Sequence, residues 1–207
     1  MPLPDHETPY HTLLSACHDL YERESALRDF SSLPEQCDPQ QITPQLHPGC
    51  AHFLNSDSTA PAPYQALVRA VREAAPHLIW PHIYRPHADQ PNDIDFSFAD
   101  RLATCEIIGY DAPFTSEEMH LYFVYLPPHT FYPWHKHPAE ELYFVLSGGA
   151  IFQRENKPDQ TLRAGEHIIH ETQEAHAIQT GDAPLVSLAV WRNHLGIMPD
   201  LIAPPHR

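Results

Sequence analysis

Tyr132-Pro133-Trp134-His135-Lys136-His137-Pro138-Ala139-Glu140-Glu141-Leu142-Tyr143 gathers two histidines, two adjacent glutamates and two tyrosines into one short stretch. His135 and His137 stand two residues apart, so on a strand both side chains leave the same face. Glu141 follows four residues after His137 and comes into register if the strand turns between them. Lys136 and Glu140, each one residue out of step, point away. Two neutral imidazoles and a carboxylate form a donor set that divalent Mn, Fe, Co, Ni or Zn accepts with positions left open. His176 arrives after a hairpin-like interval as a fourth candidate.

The chain holds 17 histidines, so an isolated His-x-His pair carries little weight. The full array carries far more. It reads His135-x-His137-x3-Glu141-x6-Gly148, then Gly165-x10-His176. This array resembles the two cupin motifs. The first has the form G-x5-H-x-H-x3-E-x6-G and is matched throughout except at its leading glycine, where His129 stands. In the second, G-x5-P-x-G-x2-H-x3-N, Gly165 and His176 are in register. Glu171, Gln173 and Thr180 replace the proline, the second glycine and the asparagine. The resemblance implies a small jelly-roll β-barrel with one divalent transition-metal ion inside; Fe, Mn, Zn, Co and Ni are all compatible.

The flanking sequence supports a mainly β chain. Met119 to Leu126 is a dense apolar run stopped by Pro127-Pro128. Glu141 to Leu146 runs into Ser147-Gly148-Gly149, which predicts a hairpin with Ala150 to Arg154 as the returning strand. Asn156 to Asp159 is another turn. Short strands fit 161–163, 167–170 and 176–180, and Gly181-Asp182 predicts a turn into a last strand, Leu185 to Trp191. Phe96 and Phe98, then Ala103, Cys105 and Ile107, alternate with polar residues in strand fashion.

Upstream the periodicity changes. Tyr10, Leu13, Leu14, Cys17, Leu20 and Tyr21 recur at three- and four-residue steps, and Leu27 and Phe30 continue the stripe. That pattern predicts an amphipathic helix over 9–30. Residues 31–63 carry Pro34, Pro39, Pro44, Pro48, Pro61 and Pro63 and predict an irregular connection, long enough to wrap the surface or form a lid. Tyr64, Leu67, Val68 and Val71 predict a second helix over 64–75, ended by Pro76. At 207 residues the expectation is one compact domain. It comprises a helical extension and proline-rich wrap over 1–95, without clustered ligands, and a cupin β-barrel over 96–207.

A net charge of −15 argues against nucleic acid and anionic membrane surfaces as partners. No run of ~18 apolar residues suggests a membrane span. Met1 to Glu7 shows neither the basic start nor the apolar stretch of a signal peptide. The four cysteines, Cys17, Cys37, Cys50 and Cys105, lack C-x2-C spacing. They predict free thiols in a reducing cytoplasm, with a Cys37–Cys50 bridge as the alternative. A homodimer is left open.

Tyr132 precedes His135 by three residues, and Tyr143 follows Glu141 by two and faces the same way along that strand. A divalent cation stabilises a nearby phenolate, and a tyrosinate is a competent general base. Tyr-x2-His-x-His-x3-Glu-x-Tyr, followed by a lone second-motif histidine, resembles the cupin-type dimethylsulfoniopropionate lyases of the DddQ and DddL kind. The match is specific over 132–148 and 165–176 and architectural over 1–95. It implies His135, His137, Glu141 and His176 around the metal, with Tyr132 and Tyr143 as base candidates. It also implies a zwitterionic sulfonium substrate, cleaved to dimethyl sulfide and acrylate by β-elimination. A sulfonium calls for aromatic ring faces, for which Tyr122, Trp134, Phe144 and Trp191 are candidates. A cupin Fe(II) dioxygenase, or a related lyase acting on a different substrate, would use the same ligands; of these, only the oxygenase needs O2.

Overall fold

In a computed structural model, described over residues 7–34, 38–86 and 94–205, eight strands share one hydrogen-bonded sheet. They are β1 (Ala103–Ile108), β2 (Met119–Leu126), β3 (Phe131–Lys136), β4 (Glu140–Arg154), β5 (Gln160–Arg163), β6 (His167–His170), β7 (His176–Arg192) and β8 (Asp200–Leu201). The two long strands, β4 and β7, run antiparallel along almost their whole length. β6 flanks the first half of β4 and β5 the second, while β3 and β2 flank the two ends of β7. β1 extends β2, and β8 extends β3. The sheet curls into a cupin-like half-barrel preceded by helices.

Two segments that read as turns are bends within strands. Ser147-Gly148-Gly149 lies inside β4, and no hairpin forms there, because β7 runs beside both halves of the strand. Register slips at Val145/Ser147 and Gly148/Ala150 curve the strand instead. Gly148 has a φ of +66°, and a Cβ there would overlap the carbonyl oxygen of Pro184. Gly181-Asp182 lies inside β7 in the same way. The partner of β4 jumps from Leu185 to Thr180 at this point, so residues 181–184 stand out from the ladder.

Phe96–Phe98 is a 3-10 turn rather than a strand. The Asp95 carboxylate accepts from the Ser97 N–H at 2.8 Å and starts the turn. The stripe over 9–30 breaks at Glu24, whose backbone is extended, into α1 (Glu7–Arg23) and α2 (Ser25–Phe30). Arg28 donates to the carbonyls of Tyr21 and Glu22, satisfying acceptors at the exposed end of α1. Residues 31–63 contain a helix that the proline count obscured, α3 (Pro48–Leu54). Its proline occupies the first turn, where a missing N–H costs nothing. The last helix, α4 (Gln65–Ala74), gives way to a 3-10 turn over Ala75–His77 containing Pro76. Cys17, Cys50 and Cys105 are free, buried thiols, and Cys37 lies outside the described residues. No helix among the described residues is long and apolar enough to cross a membrane.

The sheet is buried on both faces where the helices cover it. Leu13, Phe53, Leu67 and Val71 pack with Phe123, Leu142, Phe144 and Leu188 in one core. Val124, Tyr132, Tyr143, Val145 and Ile178 form a second core inside the curl. Burial from both sides explains the dense apolar run of β2, which His120 interrupts. β6, with one face in solvent, alternates strictly between buried and exposed. Gly148→Ala is expected to destabilise the fold by about 2–3 kcal/mol, whereas Gly181→Ala, with no atom near its added Cβ, should stay within about 0.5 kcal/mol. Urea midpoints of the two variants check this.

Candidate metal centre

Proline decides how β3 faces the interior. Pro133 has no N–H for the ladder, and the register of β3 with β7 slips between Tyr132 and His135. The extra residue reverses the strand's parity. Tyr132 and His135, three residues apart, therefore both point inward, and their rings stack at 4.1 Å and 14°. His137 follows just beyond β3, Glu141 and Tyr143 enter from β4, and His176 opens β7.

The curl then brings distant positions together. Glu141 pairs with Trp191 and His176 with Arg154, which places them at opposite ends of the β4–β7 ribbon. On a flat ribbon they would lie roughly 40 Å apart. Here the His176 Nε2 is 3.2 Å from Glu141 Oε2, and the His137 Nε2 is 3.2 Å from the same oxygen. The potential ligand atoms of buried His137, Glu141 and His176 all lie within 4.8 Å of one another.

Backbone carbonyls set the tautomers. Nδ1 of His135, His137 and His176 lies 2.7, 3.0 and 2.8 Å from the carbonyl oxygens of Pro133, Ala139 and Glu174. A carbonyl can only accept, so each Nδ1 carries the proton and each Nε2 presents a lone pair. His176 Nε2, despite its short distance to Glu141, has no well-aligned hydrogen bond. Buried lone pairs converging on one point repel unless positive charge lies among them. The donor set therefore fits a divalent cation, with His137, Glu141 and His176 as its ligands.

Glu141 is buried, and its Oε2 faces the imidazoles of His137 and His176, 3.2 Å from each Nε2. Trp191 Nε1 donates to its other oxygen at 2.6 Å, and the Trp191 ring stacks on His137 at 4.3 Å. His135 packs edge-on against His176 at 4.1 Å; burial, then His176, keeps it neutral. Burial raises the phenols of Tyr132 and Tyr143; Glu141 raises both further, and the hydrogen bond with Tyr84 partly relieves Tyr132. A phenolate here needs a cation's charge beside it.

One cavity is lined by His135, His137, Glu141, Tyr132, Tyr143, Tyr122 and Trp191. Trp134 and Phe144 do not line it, because each is one residue out of step with an inward side chain. Trp134 packs with Ala175 and Ala177, and Phe144 lies 5.6 Å from the Tyr64 ring in the helix-side core. Glu140 points away, held by Arg192 at 2.7 Å. Two neighbours escaped the sequence reading. His170 pairs with Glu141 across β6 and stacks on His176 at 3.9 Å and 10°. Tyr84 shares a 2.6 Å hydrogen bond with Tyr132. Neither belongs to a motif; their only signal is a place in the register or in a loop.

A second group, His47, His82 and Asp100, also has donor atoms within 4.8 Å of one another. It lacks the required tautomer. His47 Nδ1 accepts from the Gly49 N–H at 2.9 Å, so its proton sits on Nε2 and no lone pair is left.

The fold and the first ligand set define a cupin with a divalent-metal site bordered by tyrosines. Known proteins narrow that class. The family model for dimethylsulfoniopropionate lyases matches residues 21–187. The chain is 35% identical over 195 residues to the dimethylsulfoniopropionate lyase DddQ of Ruegeria pomeroyi, covering 94% of each. It is 29% identical over 170 residues to the putative lyase DddL of Cereibacter sphaeroides, covering 80% of this chain and 68% of that one. The crystal structure of the Ruegeria pomeroyi lyase superposes with a TM-score of 0.86 at 33% identity, covering 97% of this chain and 100% of that one. The chain belongs to the dimethylsulfoniopropionate lyase family.

His137→Ala and His176→Ala are each expected to lose bound metal, while Glu140→Gln keeps it. Elemental analysis of the purified variants checks this, and full stoichiometric metal in both alanine variants would overturn the site.

Proposed function

We infer that this chain is a carbon–sulfur lyase that cleaves dimethylsulfoniopropionate into dimethyl sulfide and acrylate. The observation that carries this is the buried convergence of His137, Glu141 and His176, bordered by tyrosines, in a chain of this family. His135 is assigned as a fourth ligand, supported by its unprotonated Nε2 and its packing on His176. Tyr132 is assigned as the base, with Tyr143 second. Stacking on His135 and an immobilised hydroxyl favour Tyr132.

A divalent ion bound by these ligands would supply charge that anchors the substrate carboxylate and acidifies the adjacent CH2. The ionised Tyr132 oxygen takes a proton from that carbon. The electron pair left behind becomes the carbon–carbon double bond as the β-carbon–sulfur bond breaks. The sulfur keeps the bonding pair and leaves as neutral dimethyl sulfide, and the proton stays on the Tyr132 oxygen. Charge balances, because zwitterion plus phenolate becomes acrylate, sulfide and phenol. Tyr122 and Trp191, in edge contact at 5.1 Å, offer ring faces to the sulfonium. No electrons are exchanged with an oxidant, so O2 is not required. The free, buried cysteines support a cytoplasmic setting. Every ligand and base assigned here comes from residues 96–207, which supports residues 1–95 as their cover.

Purified protein given dimethylsulfoniopropionate is expected to release dimethyl sulfide into the headspace, to stop after chelation and to continue without oxygen. Tyr132→Phe should lower the rate by ~10²–10⁴-fold with metal retained. Burial raises the phenol and only its ionised form accepts the proton, so turnover should climb as pH rises. Near-full activity in both Tyr132→Phe and Tyr143→Phe, or product only with O2, would reject the mechanism.

A further inference from the structure

We propose that Tyr84, from the N-terminal segment, is a positioning residue for the elimination base: its hydroxyl donates to the Tyr132 oxygen and aims it at the substrate. This rests on the assignment of Tyr132 as base.

The geometry around Tyr132 leaves one degree of freedom to control. Its ring lies against His135 at 4.1 Å and 14°, and against Phe98 at 5.6 Å and 25°. These contacts fix the ring plane but not which lone pair of its oxygen faces the cavity. Tyr84 decides this. The two hydroxyl oxygens are 2.6 Å apart, and the residues are each 5% exposed. A base must present a lone pair, so within this pair Tyr84 gives the hydrogen and Tyr132 accepts it. Were Tyr132 the donor, its proton would be committed to Tyr84 and no base would face the cavity.

Tyr84 is itself held. Its ring packs on Phe98 at 5.4 Å and crosses Tyr132 at 5.8 Å. Just upstream, Trp80 is fully buried, its backbone N–H bonds the Gln45 carbonyl at 2.8 Å, and its Nε1 donates to the Ala75 carbonyl. Ile83 lines the cavity and Tyr84 does not, so Tyr84 acts through Tyr132 rather than on substrate. A segment that the sequence marks only as covering loop thereby contributes to the chemistry.

Tyr84→Phe removes one oxygen and keeps the ring packing. It is expected to lower kcat by about 10–100-fold while KM, metal content and Tm stay unchanged. Unchanged kcat, or a loss that appears in KM, metal content or Tm instead, would overturn the proposal. Tyr132→Phe measured alongside separates the two assignments. If Tyr132→Phe is fully active, the base assignment falls and Tyr84 falls with it. If Tyr132→Phe is impaired while Tyr84→Phe keeps its kcat, only the role of Tyr84 is wrong.

Discussion

The folded-back β4–β7 ribbon is the constraint on which the rest of the molecule depends. Each strand is long enough to belong to both ends of the sheet, and each bends partway along. The bend needs a left-handed residue with no Cβ at Gly148, where the Pro184 carbonyl approaches. It also needs slack in β7, which residues 181–184 provide by leaving the ladder. Given that bend, the first residues of β4 and of β7 meet. Without it, Glu141 and His176 would sit on remote parts of one flat surface, and no centre would form.

Electrostatics then determines what the meeting point accepts. The three histidines direct their protons outward to carbonyls two residues away in sequence; the lone pairs of His137 and His176 converge with Glu141, and His135 packs against His176. Glu141 adds negative charge in full burial, steadied by the Trp191 N–H. The phenols nearby are raised by the same burial. A cation relieves both tensions at once, since it satisfies the lone pairs and favours a phenolate. In the low polarity of the curl's interior, a bound cation would therefore favour a phenolate beside it. The His47 group shows the contrast, because three suitable residue types within reach are not a site when the buried imidazole holds its proton on the wrong nitrogen.

The helices set the polarity of the sheet. By packing on its outer face they make β2, residues 141–147 of β4 and residues 185–191 of β7 core on both sides, which stiffens the elements that carry the site. The segment that follows α4 reaches around to the inner face, where Ile83 and Tyr84 meet the residues of the barrel.

Spacing alone pointed to the candidate ligands, of which His137, Glu141 and His176 converge, and to the tyrosines near them, the mainly β character of 103–192 and the helical periodicity of the N-terminal part. These are legible because ligand chemistry and strand or helix periodicity are local properties of the chain. His135-x-His137-x3-Glu141 works wherever a strand edge turns, and the stripe from Tyr10 to Phe30 declares an apolar face. What the local pattern could not settle was whether glycines reverse the chain or bend it. Gly148 and Gly181 look the same in either role, and the outcome depended on β7 being present beside both halves of β4. The same holds for the inward turn of Tyr132, which relies on a bulge at Pro133, and for the outward packing of Trp134 and Phe144. Register between distant strands also decided that His170 stacks on His176 and that Tyr84 reaches Tyr132. Those contacts are made by residues far apart in the chain, and only the curl of the sheet sets the distance between them.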